Sequence, residues 1–326
     1  MIDLYSLVKD TSAYKTIKNE KINDRLSHAY LILTADEKNL KDYLKIFASL
    51  LVCKNDDPCG RCRACELIKK EALSDVVFYP KGEVINSEEV NSLIEESYIK
   101  PIEEDKKVFV LLWADKMNLQ AQNKLLKTLE EPSKNVHILL GATSEYPLLS
   151  TIKSRVKKLE IPSFSKEKLY SVLKDECDDL ERLKTAISCG DGTVGKALAL
   201  YQDEKLKAIT DLAEEVIVDM ASSKDLIKYS VKITGLKCEL DEFLSVLETL
   251  FRDMMISLTG GEELISNANS KEKLKEAKGY TLGAIVNALE KIAEAKKRAK
   301  FNTNTTMLIE WVLFQILEGK YKWQKL

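Results

Sequence analysis

The chain has 326 residues, of which 45% are hydrophobic, 7% aromatic and 31% charged, and its 50 Lys and Arg nearly balance its 52 Asp and Glu for a net charge of −2. That length suffices for two or three domains with cores of their own, and the charge balance excludes the global basic field with which a protein holds nucleic acid unaided. No apolar run approaches the roughly 18–20 residues of a membrane span, the N-terminus MIDLYSLVKD lacks the layout of an export signal, and the sparse aromatics do not interleave with basic residues as a single-strand stacking platform requires, so the expected location is cytoplasmic.

Residues 28–53, HAYLILTADEKNLKDYLKIFASLLVC, predict an apolar strand at Ala29–Leu33, a turn and an amphipathic helix. A strand-to-helix turn at this place in an α/β chain is a common seat for a glycine-rich phosphate loop. Here the turn is Thr34-Ala35-Asp36-Glu37-Lys38-Asn39-Leu40 and contains no glycine.

The next stretch, CKNDDPCGRCRAC, sets Cys53, Cys59, Cys62 and Cys65 in the pattern C-x5-C-x2-C-x2-C. Four thiolates this close suit one tetrahedral zinc with Zn–S near ~2.3 Å, and Pro58, Gly60 and Ala64 suit tight turns around it. With four sulfurs and no open coordination position, the metal is expected to be structural; the alternative is four reduced thiols in a surface loop. Cys177, Cys189 and Cys238 are scattered, and a disulfide network is not expected without export signals.

Further strands are predicted at Val76–Tyr79, Val108–Leu112, Val136–Leu140 and Lys158–Ile161, separated by helical segments. That alternation predicts a parallel, doubly wound sheet with helices on both faces. After Pro162 everything reads as helix, with breaks at Cys189–Gly195, Thr234–Gly235, Gly260–Gly261 and Gly279. Phe243, Leu247, Leu250, Phe251, Met254, Met255 and Leu258 recur at helical spacing and read as core or subunit interface.

Two longer runs carry a family resemblance: KVFVLLWADKMNLQAQNKLLKTLEEPSKNVHILLGATSEYPLL (107–149) and STIKSRVKKLEIP (150–162). With RLSHAYLI and the cysteine cluster, they resemble the delta prime family of bacterial DNA polymerase III clamp-loader subunits, which are AAA+ proteins, over about residues 20–165. The resemblance implies a fold of class α/β plus all-α. It divides into an AAA+ parallel-sheet domain (1–162) with an inserted zinc knuckle (53–65), a small helical lid (163–205) and a helical collar for oligomerisation (206–326).

A working AAA+ ATPase needs a glycine loop with Lys and Ser/Thr, and an acidic pair at the end of a later strand. Alignment with the family places the loop Lys and Thr on Leu40 and Lys41, after Thr34, and the acidic pair on Leu112 and Trp113. The lid arginine that touches phosphate in motor subunits falls on Gly195. No ATP is therefore expected here, and the chain is not expected to be an enzyme by itself. Asp115 reads either as a magnesium ligand or as a solvated or capping residue, and Thr143 matches the family's sensor threonine without its phosphate.

One contribution to catalysis survives in the resemblance. Ser154-Arg155-Val156 matches the family's Ser-Arg-Cys motif, whose arginine acts as a finger in trans on the neighbouring subunit's ATP; Val156 replaces its Cys. The plain alternative is a surface arginine in a solvated patch with Lys153, Lys157 and Lys158. In QAQNKLLKTLEEP, a helix ended by Pro132 packs Leu125, Leu126 and Leu129 on the sheet. The C-terminal AKKRAKFNTNTTMLIEWVLFQIL reads either as a helix packed between ring subunits or as an intradomain one. The implied role is a non-ATPase stator that supports loading of a sliding clamp onto primed DNA. Its implied partners are motor ATPase subunits and a clamp-opening delta subunit, with clamp and primer-template DNA reached through the complex and no membrane. The rival readings are an active motor ATPase of the same family and a zinc-dependent nucleic-acid-binding protein.

Overall fold

The apolar runs form five parallel strands in the computed structural model, which describes residues 3–82, 84–203, 205–235, 240–260, 274, 276–299 and 304–323. They are β1 (Ala29–Thr34), β2 (Val76–Tyr79), β3 (Lys107–Leu111), β4 (Val136–Ala142) and β5 (Lys157–Ile161), hydrogen-bonded in the order β2-β3-β4-β1-β5. Leu31 lies opposite Leu140, and Phe109 opposite Ile138. Parallel strands need crossovers that cover both faces, and every residue of β1 and β4 is buried. The edge strand β5 instead exposes Lys157, Lys158 and Glu160, charges that discourage pairing with another chain.

Helices α1 (Leu4–Val8), α2 (Ser12–Ile22), α3 (Leu40–Val52), α4 (Arg63–Lys69), α5 (Ser87–Ser97), α6 (Leu119–Glu130) and α7 (Ser150–Lys153) surround this sheet, and α8 (Lys166–Leu173) follows it. On one face, Ala121, Leu125 and Leu129 of α6 share a hydrophobic cluster with Ala29, Leu31 and Leu33 of β1, while Leu126 is only partly buried against it. Asn118 caps α6 by accepting from the Ala121 N–H at 2.8 Å. The other face carries α3, whose Leu40, Tyr43, Leu44 and Phe47 are fully buried at helical spacing.

The chain divides into two compact units, Met1–Val172 and Leu173–Leu326. The first runs ten residues past the boundary expected at 162 and takes in nearly all of α8. In the second, helices Leu180–Cys189, Val194–Gln202, Leu206–Asp219, Ser223–Gly235, Leu240–Leu258, Leu282–Ala299 and Thr305–Lys322 follow one another. Ala186, Cys189 and Leu200, expected in a separate lid, join one hydrophobic cluster with Ile209, Phe243, Ile285 and Leu313. Phe243, Leu247, Leu250, Phe251 and Met254 of the predicted stripe lie in that core, whereas Leu258 is exposed. Cys238 and Gly261 lie outside the described residues. Among the described residues, no helix is long and apolar enough to cross a membrane.

Gly141 in β4 shows how closely α3 sits on the sheet. A Cβ there would stand 2.4 Å from Leu44 Cδ1 and 2.9 Å from Leu40 Cδ1, and both leucines are fully buried with nowhere to retreat. Gly141→Ala is expected to lower the unfolding free energy by about 1–3 kcal/mol through overpacking, measured by urea denaturation.

Candidate functional site

The four cysteines of the knuckle converge. Sγ atoms of Cys53, Cys59, Cys62 and Cys65 all lie within 4.8 Å of one another, with Cys53 and Cys62 at 4.0 Å. A tetrahedron with Zn–S near ~2.3 Å requires S–S separations of about 3.8 Å, so the donor set fits a zinc ion after small adjustment. Backbone N–H groups of Arg61 and Cys62 aim at the Cys59 sulfur and hold its thiol down to about 6, whereas burial pushes the Cys65 thiol up. Helix α2 fastens the loop from the side: Lys21 Nζ donates to the carbonyls of Cys53 and Asn55, both at 2.5 Å, and the Tyr14 hydroxyl donates to Asp57 at 2.8 Å.

The glycine-free turn after β1 is filled by its own side chains. Asp36 is buried, and its carboxylate accepts from Asn39 Nδ2 at 3.0 and 3.1 Å and from the Tyr43 hydroxyl at 2.9 Å. Burial, with the Asp36 carboxylate beside it, raises the Tyr43 pKa and so keeps that hydroxyl a donor. Leu40 points into the core, and Lys41 is paired with Glu71 at 2.7 Å. The positions aligned with a phosphate-binding Lys and Thr thus hold a core leucine and a lysine already engaged. A buried carboxylate beside them repels further negative charge.

The end of β3 is closed in the same manner. Leu112 is buried, and Trp113 takes a left-handed conformation, φ 52°, which a bulky residue rarely adopts. Lys116 stands 5.6 Å from the Trp113 ring centroid and pairs with Glu37 at 2.6 Å, tying the turn after β3 to the turn after β1. Lys41, Leu112 and Trp113 line one wall of an open cleft of 790 Å³ beside β2. Asp115 accepts from the Thr143 hydroxyl at 2.7 Å and its N–H at 3.2 Å, so these two residues fasten the ends of β3 and β4 to each other. Gly195 is buried in the first turn of its helix.

Arg155 and Ser154 follow α7, away from that cleft. Arg155 Nη2 lies 2.7 Å from Glu130 Oε1, and Nη1 donates to the Thr151 carbonyl at 2.9 Å and to Ser154 Oγ at 3.2 Å. Val156 is buried in the sheet cluster, a place where an apolar side chain serves in lieu of Cys. Two of the three neighbouring lysines are paired, Lys157 with Glu20 and Lys158 with Glu145 at 2.5 Å. Sequence reasoning missed the residue that seats α7. Gln122, buried in α6, donates through Nε2 to the carbonyls of Met117 at 3.0 Å and Pro147 at 3.2 Å, and accepts the Leu149 N–H at 2.9 Å. The only trace in the sequence is a polar residue at a core-facing position of the predicted helix.

Comparison with known proteins points in one direction. The family model described as DNA polymerase III, delta subunit, matches residues 9–165. The chain is 26% identical over 321 residues to the DNA polymerase III subunit delta prime of Bacillus subtilis (strain 168), covering 94% of this chain and 95% of that protein. It is 26% identical over 196 residues to subunit tau of the same organism, covering 57% of this chain and 35% of that one. A solved DNA polymerase III gamma subunit-related protein from Thermotoga maritima aligns over 95% of this chain and 100% of that chain, at 19% identity and a TM-score of 0.45.

Because Gln122 meets three backbone groups in a buried site, removing its amide leaves them without partners. Gln122→Ala is expected to cost about 1–3 kcal/mol of stability, read from denaturant unfolding. It should also raise amide exchange at Leu149.

Proposed function

We propose that this chain, a member of the clamp-loader family of DNA polymerase III, serves in its complex as a stator: a subunit that turns over no ATP itself and lends Arg155 to the ATP site of a neighbouring motor subunit. The observation that carries this reading is the disposition of Arg155. Its guanidinium stands at the end of a short helix, only partly buried, and its family motif sits intact except at Val156. A guanidinium suits the task because it stays charged and offers a planar fork that matches phosphate oxygens.

Support for an emptied nucleotide pocket comes from its contents. Leu40 lies in the core, Lys41 is paired with Glu71, the Asp36 carboxylate fills the turn, and Leu112 and Trp113 stand where carboxylates would bind magnesium. The same contents argue against an active motor ATPase. The near-zero net charge argues against a free-standing nucleic-acid binder, so DNA and clamp are reached through the complex. The partners are then motor ATPase subunits and a clamp-opening delta subunit, in the cytoplasm. Helices of 163–205 act as lid and those of 206–326 as collar, and Ala186, Cys189 and Leu200 of the lid share a core with the collar.

Arg155→Ala tests the role. The fold should be unaffected within about 1 kcal/mol, since an exposed ion pair contributes no more than that. In a complex reconstituted with the cognate motor and clamp-opening subunits, single-turnover ATP hydrolysis at the facing site should slow by about 10³-fold or more. An unchanged rate rules the finger out.

We further infer that Cys53, Cys59, Cys62 and Cys65 hold a structural zinc, which when bound cross-links the loop that begins at the end of α3 to the start of α4. Elemental analysis of the purified chain should find one equivalent of zinc, and Cys62→Ser should lose it. Chelation should speed hydrogen exchange across 53–65 while leaving β1 and β4 protected. Native protein free of zinc would refute the assignment.

A further inference from the structure

We propose that Glu130 is a positioning residue for Arg155, an internal stand-in for the anion that the guanidinium meets in trans; this rests on the reading of Arg155 as a finger. Three acceptors hold the guanidinium: Glu130 Oε1 at 2.7 Å from Nη2, and the Thr151 carbonyl at 2.9 Å and Ser154 Oγ at 3.2 Å from Nη1. Glu130 is the last residue of α6, and Thr151 and Ser154 belong to the end of α7. The carbonyl ends of helices favour a cation, so the site gathers negative partial charge from two directions around one fork.

This arrangement differs from an ordinary structural ion pair in two respects. Both partners remain substantially open to water, with side-chain exposures of 35% for Arg155 and 48% for Glu130, so the pair is exchangeable. The two lysines that open β5 have carboxylates of their own, Lys157 with Glu20 and Lys158 with Glu145, while Glu130 pairs with Arg155. A phosphate group offers the same fork more acceptor oxygens and more charge than a carboxylate. Glu130 therefore holds the guanidinium beside the ends of α6 and α7 when no nucleotide faces it and yields when one does. Its presence taxes engagement of the ATP without entering the chemical step.

Glu130→Gln keeps the shape and removes the charge. In the isolated full-length chain, modification of Arg155 by phenylglyoxal, followed by peptide mass, should run about two- to five-fold faster than in the parent, the range set by an exposed ion pair. In the reconstituted complex, the KM for ATP should fall by a similar factor with kcat unchanged, and the effect should vanish in the Glu130→Gln/Arg155→Ala double variant. A merely structural role would move stability and leave the KM alone. An unchanged modification rate overturns the stand-in whatever the complex does. Faster modification with an unaltered KM, or a KM change that persists without Arg155, overturns its link to the ATP site. The Arg155→Ala complex reports separately on the finger: normal turnover there sinks that reading even if Glu130→Gln speeds the modification.

Discussion

The seating of α3 on the sheet, where Leu40 and Leu44 close over Gly141, is the contact on which the first unit depends. Burying large apolar side chains gives about 1.5–3 kcal/mol each, and α3 buries Leu40, Tyr43, Leu44, Phe47, Leu50 and Leu51 completely. A phosphate loop needs its following helix to start with polar residues aimed at the ligand. Here the first helical residue is turned inward and locked by packing, so the strand–turn–helix frame persists on apolar contacts alone. The turn between them is organised around Asp36.

Pairings of this kind recur along that end of the sheet. Asp36 binds Asn39 and Tyr43, Glu37 binds Lys116, Lys41 binds Glu71, and Asp115 binds Thr143. These pairings satisfy the groups they join, whereas Trp113 Nε1 and Asp115 Oδ1 are buried without a hydrogen-bond partner. Arg155 is held more loosely than these. It sits at the junction of α6 and α7, and its placement is inherited from Gln122, which fixes Leu149 at the start of α7 from within the core.

The strands were legible because parallel strands buried on both faces read as continuous apolar runs, and all five lie within two residues of their predicted ends. The cysteine spacing announced a cluster before its geometry was known, because four sulfurs in thirteen residues have few other uses. Partners set by tertiary folding were not legible. Asp36 reads as an ordinary turn aspartate until Tyr43 comes round one helical turn to meet it, and Glu130 reads as a solvated helix end until α7 brings Arg155 alongside. The lysines beside Arg155 looked like a basic patch because Glu20 and Glu145 lie far off in sequence. The packing within the helical region was not legible either: apolar stripes show that a helix is buried but not against which neighbour, and Cys189 and Leu200 share a core with Phe243 and Leu313.

A phosphate loop and a trans-acting arginine make different demands on a fold. A phosphate loop needs several backbone N–H groups left unpaired in a glycine turn, and each such donor is costly unless the ligand is present. Here the turn is filled by buried Asp36 and Leu40. A surface guanidinium carries no comparable penalty: it is permanently charged, and Arg155 has acceptors in Glu130, Thr151 and Ser154. On the proposed reading, an emptied site and a retained finger are favoured by the same energetics. The start of α7, beside Arg155, is anchored from the core by Gln122.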